Sequence, residues 1–155
     1  MASPKLKKER SLSLTKLIQF NFIDSKTSTL QHKTVLREWI HACILKEGFE
    51  TGFISYNFTS DKYLLGLNKQ YLNHDYFTDI ITFDLTEGKM ISGDIYISLD
   101  RVKDNSHLLN EMFHVELYRV IIHGVLHLCG YGDKSVKDAK TMRKKENYYL
   151  ALLPL

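Results

Sequence analysis

The change of hydrophobic period along residues 17–58 constrains this chain more than any other feature. Residues 17–23 (LIQFNFI) set polar Gln19 and Asn21 between apolar and aromatic neighbours, and Asp24-Ser25 closes the run, which predicts a strand. Over residues 29–47 the period changes. Leu30, Val35, Leu36, Trp39, Ile40, Cys43 and Ile44 recur mostly at three- and four-residue steps until Gly48, the pattern of an amphipathic helix. Residues 52–58 (GFISYNF) alternate again as a second strand. Strand, long helix and strand in succession form a crossover unit, so the two strands are expected to be parallel neighbours with a right-handed connection.

The remaining chain adds an antiparallel piece and a helical one. Asp61 is read as the N-cap of a short helix through Tyr71, with Tyr63, Leu64, Leu67 and Tyr71 on one face, and residues 72–77 as a loop. Residues 78–85 and 91–98 flank Glu87-Gly88-Lys89, which predicts a hairpin. Helices follow from an Asp100 cap to about His107, from Leu109 or Asn110 to Cys129 with Gly130 as the stop, and from near Ser135 to about Leu150. The fold class is α+β: a small mixed sheet of about four strands packed with about five helices. Residues 1–14 are read as a basic, flexible arm and residues 15–155 as a single domain.

A chain of 155 residues with 44% hydrophobic and 25% charged residues has the composition of one globular domain. At this length folding buries roughly two thirds of the unfolded surface, so neither a disulfide nor a structural metal is required. A bound metal would therefore serve chemistry. The longest uncharged apolar run, residues 120–132, falls short of the about 20 residues of a membrane span, and no apolar signal core follows MASPKLKKERSLS. Cys43 and Cys129 form no CxxC pair and are read as reduced, packed thiols, which suits a cytoplasmic protein. The net charge of +3 is concentrated in Lys5, Lys7, Lys8 and Arg10, and again in Lys134, Lys137, Lys140, Arg143, Lys144 and Lys145. Such segments suit a polyanion such as RNA, although a solvated helix face has the same composition.

The segment richest in chemistry is HGVLHLCGYGD, residues 123–133. Histidines four apart on a helix stand one turn above the other, within reach of one ion. Gly130 can end that helix in a left-handed turn that brings Asp133 back toward the same point. His123, His127 and Asp133 thus make a three-ligand set, to be placed at the end of the long helix. Imidazoles with a carboxylate suit one divalent transition-metal ion, with zinc favoured and nickel or iron as alternatives. Such an ion acidifies bound water toward neutrality. Metalloproteases share the spacing, but Gly124 stands where they carry the glutamate base, which disfavours a peptidase of that mechanism.

These residues resemble the YbeY family of rRNA maturation factors and single-strand endoribonucleases, whose metal motif is HGxLHxxGyDH. Residues 67–71 (LNKQY) with residues 78–83 (TDIITF) are similar to its LNxxyR and TDVLSF elements, and residues 93–97 (GDIYI) to its GDI strand. The blocks occur in the family's order and cover about residues 17 to 150. Two positions depart from the pattern. Asp133 stands where the family carries a third histidine, which lowers the net charge of the site and should leave bound water less acidic. Leu72 stands where the family carries a basic residue, so a cation such as Arg101 or Arg119 would have to serve the RNA phosphate.

The resemblance implies a metal-dependent endoribonuclease of rRNA processing and maturation. Its partners would be single-stranded or ribosomal RNA and the ribosome or its small subunit, with neither a membrane nor a nucleotide cofactor. His123, His127 and Asp133 would act through the metal, and the general base is unassigned. The alternatives are a non-catalytic ribosome-assembly factor with a structural metal, and a metal-dependent hydrolase of another substrate. His107 and His114 are read as surface or hydrogen-bonding groups rather than a fourth ligand. Asp79 and Asp94 are read as structural carboxylates or as ones that support the site or contact substrate, Thr82 and Ser98 lack a triad context, and Tyr131 is read as a packing tyrosine before one that stacks on a base.

Overall fold

The computed structural model of the protein describes residues 2–24 and 30–155, without the side chains of Ser11 and Leu12. Its elements in chain order are α1 (Pro4–Leu17), β1 (Ile18–Phe22), α2 (Lys33–Lys46), β2 (Glu50–Thr59), α3 (Asp61–Leu72), β3 (Ile80–Asp84), β4 (Met90–Ser98), α4 (Leu99–Leu108), α5 (Phe113–Leu128) and α6 (Val136–Leu152). The sheet order is β1-β2-β4-β3. β1 and β2 run parallel with Ile18 opposite Ile54 and Phe22 opposite Phe58, as the crossover pattern requires. β3 and β4 form the antiparallel hairpin, closed at Gly88 with φ 57°. The α+β class and the mixed four-stranded sheet agree with the sequence, and the described residues contain six helices rather than about five.

Alternation along the strands decides which face is covered. Ile54, Tyr56 and Phe58 of β2, with Ile95 and Ile97 of β4, are at most 1% exposed and belong to the main core with Ile121, Val125 and Leu128 of α5. The Tyr56 hydroxyl donates to the Ile121 carbonyl at 2.9 Å, so this buried polar group is satisfied. α5 approaches the sheet closely because Gly124 has no side chain. A Cβ there would stand 3.0 Å from Ile80 Cδ1 and 3.1 Å from Ile95 Cδ1. A larger side chain at this position would crowd Ile80 and Ile95, which gives the absence of the protease glutamate a packing reason. On the opposite face Tyr96 of β4 meets Tyr63 of α3 and the edge of the Phe83 ring.

The segment expected as a flexible arm is instead largely α1. Ser3 caps it by accepting from the Leu6 amide at 3.2 Å, Pro4 occupies the first turn, and Leu14 is 2% exposed in the core. Two further caps differ from expectation. Ser60 and Ser98, not Asp61 and Asp100, accept the amides of Tyr63 and Arg101, each at 3.1 Å. The two aspartates tie these caps together: Asp61 Oδ1 accepts from Ser98 Oγ at 2.6 Å, and Asp100 Oδ2 accepts from the Asp61 amide at 2.9 Å. α5 begins at Phe113 rather than at Leu109 or Asn110, because Asn110 takes a left-handed φ of 53° and separates it from α4. Ser25 and Thr29, where the sequence closes the first strand and opens the helix, lie outside the described residues. α2 runs Lys33–Lys46.

Candidate metal centre

The end of α5 is built by its own sequence. Gly130 takes φ 101°, its amide donates to the His127 carbonyl at 2.9 Å, and the Tyr131 amide donates to the Leu126 carbonyl at 3.0 Å. This paired closure satisfies the last carbonyls of the helix and turns the chain back on itself. Asp133 thereby returns to the imidazoles one and two turns up the helix. Its Oδ2 lies 3.3 Å from His123 Nε2 and 3.4 Å from His127 Nε2, and the two rings stand nearly perpendicular at 4.4 Å between centroids. One ligand atom from each of the three residues falls within 4.8 Å of the others, a group that could hold a metal ion.

The donor chemistry fits an ion. His127 Nδ1 lies 2.8 Å from the Tyr131 carbonyl, which can only accept, so Nδ1 carries the proton and the Nε2 lone pair points at Asp133. His123 Nδ1 is held by Glu146 Oε2 of α6 at 2.7 Å, again leaving Nε2 toward Asp133. Burial lowers the His127 pKa, and the neighbouring His123 lowers it further, against the pull of Asp133. For His123 burial acts in the same direction, but the Glu146 hydrogen bond and the carboxylates of Glu146, Asp79 and Asp133 outweigh it and the net shift is upward.

Around this group lies an open cleft of about 510 Å³. Its lining includes the acidic Asp79, Glu116 and Glu146 and Thr82; from α5, α6 and the turn between them come Arg119, Lys134 and Arg143, and from the α3–β3 side come Leu72, His74 and Tyr76. Asp79 is pushed above the usual carboxylate range by burial, with His123 opposing, and its Oδ2 accepts from Asn105 at 3.4 Å. Glu116 is raised for the same reason, with Arg119 opposing. Glu116 Oε2 and Arg119 Nε stand 3.7 Å apart, too far for a hydrogen bond, and both lack another partner.

Of the cations considered for the place left by Leu72, Arg119 is in the cleft and Arg101 is not among its lining residues. Arg101 is held by Asp61 at 2.6 Å and covers the Phe77 ring. Arg119 is 13% exposed and bonded to Asn147 at 2.7 Å, whereas Arg143 is 53% exposed with one Glu146 contact at 3.4 Å. His107 and His114 are exposed and outside the cleft; Asp94 is half-buried and does not line it either. Tyr131 packs as expected, its hydroxyl donating to Glu47 at 2.6 Å. Cys43 and Cys129 are free thiols; burial pushes Cys43 up strongly and Cys129 up to about 12.

The sequence does not single out Glu146 or Glu116, and it marks Arg143 only as one of a basic segment suited to RNA, not as a neighbour of the metal group. Arg143 and Glu146 sit three apart on a helix whose charge reads as a solvated face, and only contact with α5 reveals their inward side.

Comparison with known proteins adds a family. Residues 18–153 match the family model described as Endoribonuclease YbeY. A protein of that name from Parabacteroides distasonis is 51% identical over 122 residues, covering 79% of this chain and 86% of the relative. One from Flavobacterium johnsoniae is 46% identical over 136 residues, covering 88% and 96%. Among solved structures, the solution structure of a Thermotoga maritima protein superposes with a TM-score of 0.57 at 28% identity, over 86% of this chain and 88% of that one.

Proposed function

The chain belongs to the endoribonuclease YbeY family, and from that premise we propose that it is a metal-dependent endoribonuclease of ribosomal RNA processing and maturation. The observation that carries the mechanism is the convergence of two imidazole Nε2 atoms on one carboxylate oxygen, at 3.3 and 3.4 Å, inside a cleft with three cationic side chains. His123, His127 and Asp133 would hold one divalent ion, zinc first among the metals such a donor set suits, with nickel or iron as alternatives. When bound, it supplies Lewis acidity toward a phosphoryl oxygen and toward water.

The chain's own residues do the rest. Glu146 and the Tyr131 carbonyl hold the Nδ1 side of the two imidazoles, fixing ring orientation before substrate arrives. Arg143, Lys134 and Arg119 bring positive charge to the side of the cleft where a phosphodiester would lie. Asp133 is 41% exposed, so the centre is open to a strand from solvent. None of the three ligating residues belongs to the buried core, which supports a metal that serves chemistry over one that holds the fold together. No helix among the described residues is long and apolar enough to cross a membrane. A cytoplasmic location and work on the ribosome's small subunit complete the proposal, supported by the free thiols and by the family.

Single alanine substitutions test it. His127→Ala and Asp133→Ala are expected to lose bound metal and cleavage of single-stranded RNA together, with an unchanged far-ultraviolet circular dichroism spectrum. Cleavage that persists in a variant that no longer binds metal would refute the mechanism.

A further inference from the structure

The two sides of the cleft are chemically unlike, and the α3–β3 side has a feature that metal binding does not use. His74 and Tyr76 lie on the loop between these elements, and both line the cleft. Their rings stack at 5.0 Å between centroids with 22° between planes, and Tyr76 Oη lies 2.8 Å from His74 Nδ1. Both are exposed, Tyr76 to 55%. The loop that carries them is braced from below. Asn68 of α3, 1% exposed, donates through Nδ2 to the Tyr76 carbonyl at 2.9 Å, and its own carbonyl accepts from the His74 amide at 3.1 Å.

Neighbouring aromatic residues show what distinguishes this pair. Tyr71 meets the Phe83 ring edge-on and Phe77 lies under the Arg101 guanidinium, and neither lines the cleft. Among the described residues the His74–Tyr76 pair has no such cover, and a stack of two rings keeps an outer face on each. The cleft it borders holds Lys134, Arg119 and Arg143 on the other side, so the ligand that matches both sides is an anion with a flat aromatic group.

We propose that His74 and Tyr76 form a preformed stacking platform for an unpaired nucleobase next to the phosphate bound in the cleft. The platform rests on the endoribonuclease reading and adds to it the basis of strand selection. A base in a duplex already has both faces covered by its neighbours, whereas a base in a single strand can leave them and stack on the tyrosine or the imidazole. The basic side then takes the phosphate backbone without reading sequence.

The test uses the full-length, metal-loaded protein with short single-stranded RNA carrying 2-aminopurine, mixed rapidly so that binding precedes cleavage. Wild type should quench the 2-aminopurine fluorescence. Tyr76→Leu should abolish most of that quenching and raise KM about tenfold, the usual scale for one lost base–aromatic stack, with kcat little changed. Tyr76→Phe, which keeps the ring, should behave as wild type, and His74→Ala should fall between. An abasic nucleotide should raise the wild-type KM by a similar factor and add nothing further to Tyr76→Leu.

Unchanged KM and quenching in Tyr76→Leu and His74→Ala, with wild type cleaving normally, would overturn the platform and leave the nuclease reading standing. That is the outcome expected if the exposed pair serves a protein partner. Equal quenching of a double-stranded oligonucleotide would also overturn it. Quenching by wild type without cleavage would uphold the platform and remove the catalytic reading, and absence of both would remove both.

Discussion

Two glutamates, nearly equally hidden, do different work: one touches His123, the other the hydroxyl of Tyr131, whose carbonyl holds His127. Glu146 has a side chain 5% exposed and Glu47 one 7% exposed. Glu47, at the C-terminal cap of α2, accepts from the Tyr131 hydroxyl at 2.6 Å, from Lys145 Nζ at 3.1 Å and from the Tyr149 hydroxyl. Two of its donors are neutral phenols and all three are satisfied, so the node behaves as a clasp joining α2, the turn after α5 and α6. Glu146 instead contacts His123 at 2.7 Å and Arg119 and Arg143 at 3.4 Å each, in a cleft shared with Asp79, Glu116 and Asp133. Burial of a carboxylate does not by itself mark a site. The companions do, and those of Glu146 are imidazole and guanidinium at an open cleft.

The contrast predicts that stability and metal binding separate between the nodes. Glu47→Ala leaves two phenolic hydroxyls without an acceptor and should destabilise the fold by about 2 to 4 kcal/mol, read from urea unfolding. Glu146→Gln should reverse the pattern, with metal affinity and RNA cleavage down about 10- to 100-fold and the unfolding midpoint little moved. If both substitutions changed both properties equally, the distinction would collapse.

A pH series sharpens it. Burial works to raise the Glu47 pKa, but hydrogen bonds from Tyr131, Tyr149 and Lys145 outweigh it and the folded value is lowered. A lowered folded pKa stabilises the protein above the ordinary glutamate range, and that contribution is lost as pH falls through the folded value. Wild-type stability should therefore fall more steeply with acid than that of Glu47→Gln, and parallel curves would contradict the clasp. The smallest effect concerns the cation missing at Leu72. Leu72→Arg should lower KM for RNA only a few-fold and steepen its salt dependence by about one ion, because Arg143 and Lys134 already charge the same cleft.

These two nodes also show what the sequence could carry. His123, His127, Gly130 and Asp133 are legible because eleven consecutive residues encode helix, stop and return, and local spacing alone brings their atoms together. Glu146 touches His123 from 23 residues away and Glu47 touches Tyr131 from 84 away, so neither contact has a period or spacing to announce it. The crossover and hairpin were readable for the same local reason. α1 was not, because its sequence is basic and polar, Leu14 alone among its described side chains is deeply buried, and its start depends on a cap at Ser3 beside Pro4. The serine caps at 60 and 98 were masked by the aspartates that follow at 61 and 100, which join the caps to each other.

We hold that the chain folds on its apolar core and uses the His123–His127–Asp133 group for chemistry. The most direct test strips the metal from the wild-type protein with a chelator, then follows thermal unfolding and cleavage of a single-stranded ribosomal RNA fragment before and after metal is restored. Cleavage should vanish and return with the metal while the stripped protein keeps a cooperative unfolding transition. Undiminished cleavage by the stripped protein, or its unfolding on loss of the metal, would contradict the claim.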